Sequence, residues 1–127
     1  MRLAVFDTIE TPQRFNLIKL FGLILNHLGS EGLNWAVHRA EGYGLTITSL
    51  DEQLDAAPHI SLALEELVVL LLGLNEWLYW FEAVNEDGTV RFGLADSSYM
   101  FVEGPAELLD DVRRCFDETS EVPIDRG

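Results

Sequence analysis

The residues able to do chemistry in this chain are three histidines, one cysteine and several adjacent carboxylate pairs. His27, His38 and His59 show no i, i+4 spacing of the kind that places two imidazoles on one helical face for zinc. Cys115 has no second cysteine to bridge or to share a metal with. It falls on an apolar stripe with Leu108, Leu109, Val112 and Phe116, which reads as a small buried hydrophobe rather than a thiolate nucleophile. The pairs Asp51/Glu52, Glu65/Glu66, Glu86/Asp87 and Asp110/Asp111 could supply acid–base chemistry only if two carboxyls met in unequal environments within a pocket. Adjacent residues on a strand point to opposite faces, so these pairs read as solvated surface.

Other motifs are missing their essential parts. Glu41-Gly42-Tyr43-Gly44 contains GxG without a third glycine or a following helix, so it is no dinucleotide fingerprint. There is no P-loop and no GxSxG elbow. Ser97 and Ser98 follow Asp96 as a turn would, and Asn85–Asp87 lacks the alternating oxygen ligands of a calcium loop. The sequence therefore implies no catalytic residue, no metal and no cofactor, and points away from an enzyme.

Charge is the stronger signal. Residues 1–50 carry four acids and four bases, whereas residues 51–127 carry eighteen acids and four bases, so the whole net charge of −14 lies in the second part. Such a field repels nucleic acid and speeds encounter with cations. Trp77, Tyr79, Trp80 and Phe81 could stack bases, but they stand among Glu76, Glu82, Glu86 and Asp87 with Arg91 alone opposite. Single-strand binding needs a basic groove, so direct nucleic-acid binding is disfavoured. Strand alternation places Trp77, Tyr79 and Phe81 on one face, and Leu78, Trp80 and Glu82 on the other. A tryptophan beside acids suits a protein partner. The candidate contact residues are Trp80, Glu82, Glu86, Asp87, Asp96 and Glu103.

These residues need a scaffold to hold them. The 127 residues and 48% apolar content predict one domain over 1–127 with its own core, its end at 117–127 frayed. Arg2–Asp7 reads as an edge strand. Thr11-Pro12 reads as a helix start, followed by apolar positions 15, 17, 18, 20, 21, 24, 25 and 28 and a stop at Gly29. Asn34–Ala40 and Gly44–Leu50 read as strands around a turn at Glu41–Tyr43, on the strength of Val37, Thr46, Ile47 and Thr48. Asp51–Pro58 reads as a loop. Ser61 is positioned to cap a helix running to about Leu74, with apolar residues nearly all round it and hence a place at the centre of the core.

Trp77–Val84, Val90–Leu94 and Tyr99–Val102 read as strands. The first two flank the turn Asn85-Glu86-Asp87-Gly88, whose Asp-Gly pair suits positive φ at both central residues. Gly104-Pro105 opens a closing helix. The order β-α-β-β-α-β-β-β-α implies an α+β fold: an antiparallel sheet of about five to six strands with about three helices against it.

The most apolar run, Leu67 to Leu74, spans eight residues, against the roughly 20 of a bilayer-spanning helix. No long apolar region precedes Asp7, so neither a signal peptide nor a membrane span is expected. A lone cysteine agrees with a reducing, cytoplasmic setting. The run at Leu67–Leu74, or Trp80, would equally serve a homodimer interface.

The acidic hairpin segment WLYWFEAVNEDGTVRFGLADSSYMFVEG and the helix PAELLDDVRRCF, residues 77–116, resemble the small acidic immunity proteins of bacterial polymorphic-toxin systems. Many of those are single α+β domains that bind and neutralise a cognate toxin, commonly a nuclease or deaminase. The resemblance implies a cytoplasmic inhibitor of a basic toxin domain and transfers no individual functional residue. Two alternatives remain: a nucleic-acid-mimicking inhibitor of a DNA-binding enzyme, and a small enzyme whose carboxylate site is assembled from distant residues.

Overall fold

The structure, a computed structural model, describes residues 2–9, 15–72 and 76–123. Twelve elements follow one another: β1 (Arg2–Val5), α1 (Leu17–Leu28), a 3-10 turn (Gly29–Gly32), β2 (Asn34–Tyr43), α2 (Leu45–Ala56), β3 (Ile60–Ala63), α3 (Leu64–Leu72), β4 (Trp77–Asn85), β5 (Arg91–Ala95), β6 (Tyr99–Glu103), α4 (Ala106–Cys115) and β7 (Thr119–Val122). The fold is α+β. Its strands form one sheet in the order β3-β2-β4-β5-β6-β1-β7, with every neighbouring pair antiparallel.

The helices share one core with one face of this sheet. Helix α1 buries Leu17, Leu20, Phe21, Ile24 and Leu28, the stripe that its 3.6-residue period requires. It lays Phe21 on Phe92 of the central strand, the two rings stacked 5.2 Å apart. Trp35 of β2 meets both rings edge-on, at 5.2 and 5.3 Å, and Phe81 of β4 closes on Phe92 at 5.7 Å. Offset and edge-to-face rings at these separations add to the area they bury. The Trp35 indole N–H is satisfied by the Gly32 carbonyl at 2.9 Å.

Several elements depart from the sequence reading, each for a physical reason. Asn16, rather than Thr11, caps α1, its Oδ1 accepting the Lys19 N–H at 3.1 Å; Thr11-Pro12 lies outside the described residues. The expected turn at Glu41–Tyr43 is the end of the long strand β2, and the expected strand Gly44–Leu50 is helical, with α2 running on through the expected loop to Ala56. The β-branched residues there are outweighed by burial of Ile47 and Leu50, with Leu54 partly buried below them: a helical spacing of i, i+3, i+7.

Ser61 is a strand residue rather than a helix cap. Helix α3 buries only Leu67, Leu70 and Leu71 of its apolar residues fully, and Val69 and Leu72 are exposed, so it is not central to the core. Gly73–Asn75 lie outside the described residues.

The strand β1 is not an edge, because β7 pairs with it from Arg2↔Val122 to Val5↔Thr119. Residues 119–122 are thus ordered by the sheet rather than frayed. The Asp7 carboxylate secures them, accepting the Asp117 N–H at 3.0 Å and the Glu118 N–H at 2.7 Å, while the Phe6 N–H donates to the Glu118 carbonyl. Cys115 is exposed, one step off the stripe that buries Leu108, Leu109 and Val112.

The hairpin turns also exchange roles. At 86–89 only Gly88 has positive φ (+74°), and the loop is held by Asn85 instead: its Oδ1 accepts the Val90 N–H at 3.0 Å and its Nδ2 donates to Thr89 Oγ1 at 2.8 Å. The paired positive φ angles stand at Asp96 (46°) and Ser97 (57°), in the three-residue link from β5 to β6 that the Ser98 N–H closes on the Ala95 carbonyl. The Ser97 N–H donates to the Tyr79 carbonyl at 2.7 Å, tying this turn to β4.

Asn85 is 2% exposed, and both its polar atoms are used. Replacing it with Ala strands the buried Val90 N–H. The N85A protein is expected to lose about 2 kcal/mol of unfolding free energy, read from urea melts. A loss within error of zero would show that the backbone bonds alone close the hairpin.

Candidate functional site

The sheet face turned away from the helices is built from the alternate residues of each strand, and arginines organise it. Arg2 donates to Glu103 Oε2 at 2.7 Å and lies over the Phe101 ring, its Cζ 4.0 Å from the ring centroid. Arg91 donates to Glu82 Oε1 at 2.6 Å. Arg39 pairs with Glu41 and stacks on Trp80 at 3.7 Å. Two extra residues interrupt the β2–β4 ladder: His38 between the Val37↔Ala83 and Arg39↔Glu82 pairs, and Tyr79 between Glu41↔Trp80 and Gly42↔Leu78. The bulge at Tyr79 breaks the simple alternation. Leu78 and Phe81 both enter the core, while Trp80 and Glu82 share the outer face.

The sequence-selected residues therefore fall into three places. Trp80, Glu82 and Glu103 lie together on the outer face, but each is engaged: Trp80 under Arg39, Glu82 by Arg91 and Glu103 by Arg2, with Glu103 itself 8% exposed. Glu86 and Asp87 are exposed in the β4–β5 turn. Asp96 is exposed at the opposite end of β5, roughly 17 Å away along a five-residue strand. The acids do not converge on one patch.

The exposed apolar residues do gather. Tyr43 and Trp77 are register partners at the end of the β2–β4 ladder, and Tyr43 packs on Tyr79 at 5.9 Å. Leu45, two residues on, is 92% exposed at the start of α2, where Glu76 caps the helix by accepting the Ile47 N–H at 2.9 Å. Beside Leu45 a groove of about 560 Å³ runs between α2 and α3, floored by β3. Its walls are Thr46, Ser49, Leu50 and Gln53 on one side and Glu66 and Leu70 on the other, over Ile60, Ser61 and Leu62. Reading Gly44–Leu50 as a strand hid this site. The signal that finds it is the i, i+3, i+7 series Ile47, Leu50 and Leu54, which leaves Leu45 off the buried stripe.

No protein family, characterised protein or solved structure matches this chain. Its chemistry is therefore read from its own groups. Among the described residues no three His, Cys, Asp or Glu side chains are grouped to hold a metal ion, and no helix is long and apolar enough to cross a membrane.

The titration of His38, the bulged residue, is displaced. Burial lowers it below its ordinary 6.5, and Arg91 and His59, its ring 5.6 Å away, push the same way; Glu82 and a hydrogen bond to the Pro58 backbone oppose them.

Two outcomes follow from this geometry. The Arg2 and Glu103 side chains are only 14% and 11% exposed, so Glu103→Ala leaves a nearly buried guanidinium without its counter-charge. That variant is expected to lose about 3 kcal/mol in urea melts, whereas Asp110→Ala, which removes an exposed partner of Arg113, costs under about 1 kcal/mol. Equal losses would contradict the burial argument.

For His38 the folded value lies below the unfolded one. Its neutral form contributes stability in full above 6.5, and that contribution is lost as pH falls through the folded value. Wild type should lose more stability than His38→Gln between about pH 7.5 and about pH 5, by urea midpoints. Parallel losses would exclude His38 as the cause.

Proposed function

We propose that this protein is a cytoplasmic immunity protein that binds and neutralises a basic toxin domain. The observation that carries the reading is the fate of the cations. Among the described residues Arg2, Arg39, Arg91, Arg113 and Arg114 are all paired to carboxylates of the same chain, and Lys19 donates to the Cys115 carbonyl over the Phe116 ring. Asp51, Glu52, Asp55, Glu65, Glu86, Asp87, Asp96 and Glu107 stay exposed and make no ion pair with another described residue. The described surface thus offers anions to a partner, while its arginines and its lysine are engaged within the chain.

Spread over turns, helix ends and the body of α2, those anions act as a field that accelerates encounter rather than as one docking patch. Short-range contact then falls to the exposed Tyr43, Leu45 and Trp77, residue types that anchor protein interfaces when they are desolvated. This division of labour suits an inhibitor that must find its target before the target acts.

The test is co-expression with toxin domains encoded beside the gene, followed by binding of the purified pair at low and high salt. Growth should be rescued, and affinity should fall about tenfold between about 50 and about 300 mM salt, mostly through the association rate. Rescue by turnover of a small molecule, or salt-independent binding, would overturn the reading.

A further inference from the structure

The groove beside α2 holds an unfinished sheet edge. The Leu64 N–H donates to the Leu33 carbonyl at 2.9 Å, which sets the phase of the ladder between β2 and β3. With Val37 opposite Ile60 and Trp35 opposite Leu62, the main-chain groups of Ile60 and Leu62 turn toward β2, and those of Ser61 and Ala63 turn outward. Glu66 Oε1 accepts the Ala63 N–H at 3.1 Å. The outward N–H and C=O of Ser61 have no such partner among the described residues, and they open on the groove.

The two sheet edges are treated differently. On β7, Glu121 is exposed and bound to Arg113 of α4, so charge blunts that edge. The edge at β3 reads Ile-Ser-Leu-Ala, with no charge on the strand and an apolar floor of Leu50, Leu62 and Leu70 beside it. Edges of this kind are pairing templates for another chain.

We propose that the groove takes an extended segment of the basic partner as an added strand on β3. The partner's main chain bonds to Ser61, its apolar side chains rest on Leu50 and Leu70, and a lysine or arginine reaches the Glu66 carboxylate. This rests on the reading of the partner as a basic protein. Charge selects that occupant over a second copy of the chain: Glu66 is the one ionisable residue lining the groove among the described residues, and a second copy would bring the same net charge of −14. An unpaired N–H and C=O on one residue call for a peptide main chain rather than a purely apolar molecule.

The groove can be tested without the toxin. A short blocked peptide alternating lysine and valine is titrated into the labelled protein and followed by amide shifts and hydrogen exchange. It should shift Ser61 and Leu62 and slow exchange of the Ser61 amide about tenfold. Its glutamate–valine counterpart should not bind. Ser61→Pro deletes the outward donor without touching a bond to β2, and Ser49→Trp fills the groove from the exposed side of α2. Each should weaken the peptide about tenfold; the second covers the case in which the first fails to fold.

Shifts that map elsewhere, equal binding of the acidic peptide, or slowing of Ser61 with protein concentration alone would overturn the groove proposal. Variants that lose the peptide yet neutralise the toxin as wild type does would also overturn it, leaving the toxin reading intact. Peptide docking at Ser61 without any rescue by the wild-type protein would support the groove and sink the toxin reading.

Discussion

Phe92 stands on the central strand with the rings of Phe21, Trp35 and Phe81 around it, and most of the architecture can be traced from that contact. It binds the first helix to three adjacent strands at once. Because side chains alternate along a strand, a ring fixed inward at position 92 also fixes Arg91 and Gly93 outward. The outward position of Gly93 matters: a Cβ there would come within 1.9 Å of the Phe81 carbonyl oxygen, so β5 can approach β4 this closely only with a glycine. The aromatic cluster on one face and the close strand contact on the other are two sides of the same register.

The outer face then inherits a problem of exposed sheet, and arginine meets it. Each guanidinium on that face covers or neutralises something: Phe101 and Glu103, Glu82, or Trp80 and Glu41. Ala4 and Phe101 are buried on this side, with the Arg2 guanidinium over the Phe101 ring. Long side chains with apolar stems and planar heads can seal a sheet in this way while keeping their charge matched. The cost is that the described arginines and Lys19 are committed to structure, and the surplus of acids is left to the turns, the helix ends and the body of α2. The charge imbalance of the surface is thus a by-product of how the sheet is closed as well as of composition.

Much of the fold was legible in the sequence where one signal acted alone. The stripe of α1, the strands from Trp77 to Val102 and the helix after Pro105 follow from period and punctuation. The helix α2 was not legible in the same way. Thr46, Ile47 and Thr48 favour a strand locally, and only the spacing of Ile47, Leu50 and Leu54 against a core built by distant residues favours a helix. With α2 missed, the groove and the exposed Leu45 could not be seen. The outward placement of Trp80 and Glu82 was legible. Their engagement by Arg39 and Arg91, and the bulge at Tyr79, were not, because each depends on a neighbouring strand. The carboxylate of Asp7 shows the same limit: its partners are the amides of Asp117 and Glu118, at the far end of the chain.

That last contact has a bearing on how the molecule comes into being. The first strand pairs on one side with β6 and on the other with β7, both about a hundred residues later in the chain. Arg2–Val5 precedes both of its partners, so an emerging chain carries a Leu3-Ala4-Val5 segment without its sheet neighbours until β6 and β7 have been made. Contacts this distant in sequence slow folding. The sheet is therefore completed only after β7 has been made, when β1 gains its second neighbour. A protein needed promptly would have to be made ahead of the need.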